Sequence, residues 1–106
     1  MTKLSKMVNQ NLYETELEKL EELNKKVMIT LLLLNDAKAC LNLLRLLKSK
    51  LKQKNYSEDE MKRLLSQYEE EEKLTVEQID RFEKVYQNFL NEMKQQTVIV
   101  SKLKTS

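Results

Sequence analysis

The chain of 106 residues contains neither glycine nor proline. Ordinary proteins carry glycine at about 7% and proline at about 5%. Between them these residues supply the left-handed backbone, fixed φ and missing N–H that tight turns, hairpins, phosphate loops and sharp helix stops require. A chain without either can build long helices and few turns, so an all-α fold is expected. Local charge agrees. Acid-to-base pairs at i and i+4 recur at Glu21 with Lys25, Glu22 with Lys26, Glu58 with Lys62, Asp59 with Arg63, Glu69 with Lys73, Glu77 with Arg81 and Asp80 with Lys84. Such pairs stabilise a helix surface and have no counterpart in a strand.

The same composition removes most chemistry. Histidine, the commonest group that exchanges protons near neutral pH, is missing. Di-iron bundles need a Glu-x-x-His element and zinc sites need several Cys or His ligands, whereas this chain has one cysteine. No glycine-rich loop exists to cradle a phosphate. Glu18 and Glu21 have helical spacing but sit among other charged residues and read as a solvated face. Cys40 falls on an apolar stripe with Ala37, Leu44 and Leu47, where burial disfavours a thiolate, so it reads as a packed core cysteine. No enzyme activity, cofactor, metal or small-molecule substrate is expected. A single cysteine forbids an internal disulfide, and MTKLSKMVNQ at the start has no apolar stretch of signal-peptide length. The expected location is intracellular, in the cytoplasm. The most apolar tract, Val27 to Asn35, is shorter than the roughly 20 residues that cross a bilayer, so no transmembrane segment is expected and the tract reads as buried core.

Apolar spacing organises the chain. Tyr13, Leu17, Leu20, Val27, Leu31 and Leu34 recur in threes and fours, with Asn24 as the polar member of a heptad seam. Beyond Leu34 the spacing passes to Leu33, Ala37, Cys40, Leu44, Leu47 and Leu51, one residue out of phase, which rotates the buried face by about 100°. This phase change predicts a break near Asn35 and Asp36, the alternative being one continuous helix over about 3–54. Ser57, with Glu60 three residues later and Tyr56 and Met61 either side, has the form of a capping box and hydrophobic staple, so a helix should start at Glu58 with Met61, Leu64, Leu65 and Tyr68 as its apolar face. Thr75 with Gln78, between Leu74 and Ile79, repeats the signature and predicts another start at Val76. Shared capping rules account for the resemblance of the two starts. The last segment has the longest seam: Ile79, Phe82, Tyr86, Phe89, Met93, Gln96, Val100 and Leu103.

These readings give a single helical domain over residues 1–106: a three- to four-helix bundle with helices at about 3–34, 37–54, 58–72 and 76–103, the long first and last ones coiled-coil-like. The simplest function for such a chain is protein binding by helix packing, as an adaptor, assembly subunit or small chaperone, with a protein partner or a homo-oligomer. Candidate contact residues are Leu17, Leu20, Asn24, Val27 and Leu31 in the first seam and Phe82, Tyr86, Phe89 and Met93 in the last. Asn24 and Gln96, polar in apolar seams, are expected to set register. The formal net charge of +2 is too balanced to mark a dedicated nucleic-acid binder, but the segment through Tyr56 carries 11 basic and 6 acidic groups and the remainder 8 and 11. Arg45, Lys48, Lys50, Lys52 and Lys54 form a basic stretch with no acid between Asp36 and Glu58. Its second reading is contact with nucleic-acid phosphates, or with an anionic membrane surface; its structural reading is pairing with the acidic run Glu69 to Glu72. A third class, an inhibitor or immunity-type protein, would instead use an exposed acidic or apolar patch against one target.

Overall fold

The computed structural model describes the backbone of residues 3–105 and the side chains of residues 10–105. Its element order is two helices, α1 (Lys3–Leu51) and α2 (Glu58–Thr105). The all-α expectation holds; the three- to four-helix bundle does not, because the breaks expected at residues 35–36 and 73–75 are both absent. Two compact units are distinguished. One combines the residues up to Thr30 with those from Val85 onward, and the other is Leu31–Lys84.

In the first unit the covered positions of α1 are Tyr13, Glu16, Leu17, Leu20, Leu23, Val27 and Thr30, and those of α2 are Tyr86, Phe89, Leu90, Met93, Gln96, Val100 and Leu103. The two segments run antiparallel here. Gln96 reaches Glu16 at 2.8 Å, and the Lys26 ammonium lies 5.7 Å from the centre of the Phe89 ring. In the second unit α1 covers Leu34, Ala37, Leu41, Leu44, Lys48 and Leu51, and α2 covers Met61, Leu64, Leu65, Tyr68, Glu72, Thr75, Ile79 and Phe82. Cross-helix ion pairs join Lys38 to Glu83 at 3.6 Å and Lys48 to Glu69 at 3.5 Å and to Glu72 at 3.9 Å.

The covered positions of α1 keep one phase. From Leu20 through Leu23, Val27, Thr30, Leu34, Ala37, Leu41, Leu44 and Lys48 to Leu51, every step is three or four. The expected rotation of the face came from pairing Tyr13, Leu20, Val27 and Leu34 with Leu17, Asn24 and Leu31. The covered residue stands one earlier at two of these three, Leu23 for Asn24 and Thr30 for Leu31, and Glu16 is covered beside Leu17; Glu16 and Thr30 are polar, which conceals them in an apolarity count. Asn35 and Asp36 are weak helix formers, but each costs a few tenths of a kcal/mol, against about 3 kcal/mol for the proline the chain lacks. Continuity therefore wins. Of the nine residues Val27 to Asn35, only Val27, Thr30 and Leu34 are buried, so the tract is one face of a seam and not a core segment.

Ser57 caps α2: its Oγ accepts from the Glu60 N–H at 3.3 Å, and its carbonyl accepts from Met61 at 2.9 Å. Thr75 caps nothing. It lies inside α2, half-buried, with its hydroxyl donating back to the Glu71 carbonyl at 2.8 Å. Serine at a start and threonine in a helix interior produce the same sequence signature because both satisfy a local backbone group. Ser57→Ala should therefore cost about 1 kcal/mol of stability, while Thr75→Ala should change it by less than about 0.5 kcal/mol, alanine's helix propensity offsetting the lost contacts. Denaturation midpoints of the two variants check the contrast. The end of α1 closes without glycine. Gln53 donates to the Lys50 carbonyl at 3.1 Å and Lys54 to that of Leu51 at 3.2 Å, and no described residue has positive φ.

Candidate interaction surface

Two polar clusters interrupt the seams, one in each unit. In the first unit the Gln96 amide nitrogen uses both its hydrogens on one residue, donating to the Glu16 carbonyl oxygen at 2.8 Å and to its carboxylate Oε2 at 2.6 Å. Lys19 completes the group with its ammonium 3.0 Å from the Glu16 Oε1. Gln96 thus sits buried in the seam, as its heptad position implies. In the second unit Lys48 occupies the equivalent kind of position and meets Glu69 and Glu72. Thr30, also buried, donates to the Lys26 carbonyl at 2.7 Å. Among the described residues no buried side-chain polar atom is left without a hydrogen-bond partner.

The Gln96 amide holds the Glu16 carboxyl below its ordinary value of 4.5; the Lys19 hydrogen bond and charge act in the same direction, against a smaller opposing effect of burial. The folded state therefore binds this proton less readily than the unfolded chain. The carboxylate contributes stability above the ordinary carboxylate range, and the contribution is lost as pH falls through the lowered value. Glu16→Gln should consequently lose less stability than the wild type between about pH 7 and about pH 3. Denaturant midpoints at the two pH values measure the difference, and equal losses would remove the carboxylate from the account of acid sensitivity.

The candidate contact residues divide. Leu17, Leu20, Val27, Tyr86, Phe89 and Met93 are covered in the first unit and Phe82 in the second, so their faces are spent inside the chain. Asn24 is exposed and Leu31 is 38% exposed; neither lies in the seam, and Asn24 cannot set its register. In the basic stretch Lys48 takes the structural role of pairing with the acidic run, while Arg45, Lys50, Lys52 and Lys54 are exposed. Cys40 is an exposed free thiol and not a core residue. Among the described residues no group of three potential metal ligands comes together.

What sequence spacing mislabelled is the second apolar face of α1. In the second unit Leu32, Leu43 and Leu46 are 63%, 55% and 52% exposed, and Leu33 and Leu47 are also uncovered. With Asp36, Ala39, Cys40 and Lys50, all exposed, they form a stripe about 130° round the helix from the seam. Leu33, Cys40 and Leu47 were the signal for it, merged in the sequence with Ala37, Leu44 and Leu51, which belong to the seam. Beside the stripe a shallow, mostly apolar groove is lined by Cys40, Leu43, Leu44, Glu71, Leu74 and Thr75, with Leu74 of α2 56% exposed. An 18-residue window of α1 has a mean hydropathy of 1.6, so by length and composition alone the helix could cross a membrane, a test that core helices of soluble proteins also pass.

No protein-family model matches the chain, and no curated protein or solved structure is significantly similar to it.

Proposed function

We propose that the chain is a non-enzymatic module that binds protein by helix-to-helix packing, as an adaptor, assembly subunit or small chaperone. The observation that supports this reading is the uncovered stripe of Leu32, Leu33, Leu43, Leu46 and Leu47 on a helix whose other apolar face is already used. Contiguous exposed leucines on a helix are the usual receptor for an amphipathic helical partner, and they are costly to leave in water. The binding face is therefore moved from the seam residues to this stripe. The seam residues Leu17, Leu20, Val27, Tyr86, Phe89 and Met93 have the supporting part of holding α1 and α2 together.

Affinity capture from the native host after nuclease treatment, comparing the wild type with the double variant Leu32→Glu/Leu46→Glu, tests this. Both substituted positions are solvent-exposed, so helicity should be retained while the specifically bound protein, or an untagged copy of the chain itself, is lost. A bound set that ignores the two charges would overturn the reading. Binding that disappears with nuclease and with Arg45→Gln/Lys50→Gln/Lys52→Gln would replace it with phosphate contact, which also predicts steep weakening with salt.

A further inference from the structure

Resting on that reading, we infer that the occupant of the α1 stripe is a second copy of this chain, packed antiparallel about a two-fold axis that passes beside Leu43. The stripe has a central row, Asp36, Leu43 and Lys50, spaced by sevens, and two flanking rows, Leu32, Ala39 and Leu46 on one side and Leu33, Cys40 and Leu47 on the other. All of these lie within the second unit. A two-fold perpendicular to the helix reverses height and keeps each flanking row facing its own counterpart.

Centred on Leu43, the operation makes three matches at once. Asp36 in the central row meets Lys50 of the other copy, so the one acid in the stripe faces a base, twice. Ala39 meets Leu46 and Cys40 meets Leu47, so the small side chains stand opposite large ones, as interdigitating helices require. Leu43 meets itself on the axis. Neither Asp36 nor Lys50 is in an ion pair within the described residues, which leaves both available. Other centres lose the match. An axis beside Asp36 sets two carboxylates against each other, and an axis between Ala39 and Cys40 buries Asp36 against Leu43 and sets small residues on small. Charge and size complementarity therefore select both the occupant and its register.

The register gives the test. In a Cys40→Ser background, Leu43→Cys places two thiols across the axis, and mild oxidation of the full chain should convert it to a disulfide-linked dimer. Leu32→Cys in the same background sits 11 residues from the axis, which separates the copies' thiols by about 33 Å at 1.5 Å rise per residue, so it should remain unlinked. Sedimentation of the wild type at about 100 µM should give twice the chain mass, whereas Leu43→Glu, at an exposed position and with unchanged helicity by circular dichroism, should sediment as monomer. Asp36→Lys should weaken the dimer at least about tenfold, and adding Lys50→Asp should restore it, because the swap regenerates the pair in reverse.

A wild type that stays monomeric, or equal cross-linking at positions 32 and 43, overturns the inference. If that monomer still loses its host partner on Leu32→Glu/Leu46→Glu, the broader reading survives and only the occupant is wrong. A monomeric wild type that binds vesicles of phosphatidylcholine and phosphatidylserine, and stops binding with Leu43→Glu, overturns both in favour of a lipid surface.

Discussion

Replacing Leu34 with alanine is expected to destabilise the protein by about 2–4 kcal/mol, while the same change at Leu33, one residue away, should cost less than about 1 kcal/mol. Leu34 is 4% exposed in the seam and Leu33 is 45% exposed outside it. Removing a buried leucine forfeits its transfer free energy and leaves a cavity that its neighbours fill only in part; removing an exposed one forfeits a fraction of the first and none of the second. Two leucines adjacent in sequence thus report which phase of the heptad is buried. Urea midpoints for the two variants, taken in dilute solution so that association does not contribute, decide it. A larger loss at Leu33 would place the seam where Leu33, Cys40 and Leu47 lie and would invalidate the stripe as a surface.

Asp36→Pro carries the second large effect. Asp36 stands inside α1, where a prolyl ring removes the hydrogen bond to the Leu32 carbonyl, clashes with that carbonyl and pushes Asn35 out of the helical region. About 3 kcal/mol or more should be lost, with a fall in helical content. In dilute solution, where the chain is not associated, Asp36→Ala removes the charge but keeps the helix, and should be neutral or slightly stabilising. Chemical denaturation followed by circular dichroism separates the cases. A Pro variant as stable as the Ala variant would show that the chain does break at residues 35–36.

The helical class was legible because it rests on an absence that no tertiary contact can reverse: without glycine or proline there was little else to build. The start of α2 was legible at Ser57 for a local reason, a side-chain oxygen within reach of an orphan amide. Thr75 produced the same signature and misled, since a hydroxyl bonded to the carbonyl four residues back leaves no different trace in the sequence. The last seam was readable through Gln96 because seven of its eight positions are apolar. That of α1 was not, because Glu16, Thr30 and Lys48 occupy seam positions whose acceptability depends on Gln96, the Lys26 carbonyl, Glu69 and Glu72, partners that only the folded chain brings near. A helix apolar on two faces also gives apolar spacing in two phases, and nothing in a one-dimensional pattern says which phase the second helix covers.

The connection at residues 52–57 also orders events in time. Lys48 and Glu69, which meet in the second unit, are 21 residues apart, whereas Glu16 and Gln96 in the first are separated by 80. Closing the longer loop from the open chain costs about 1 kcal/mol more in chain entropy, before either pairing returns anything. The second unit is therefore the place for the folding nucleus, and contacts there should already be formed in the transition state while those around Gln96 form on the downhill side. Substitutions at Leu41 or Ile79 would then slow folding, and substitutions at Val100 would chiefly speed unfolding. By that division the first unit sets how long the native state lasts and the second how quickly it is reached.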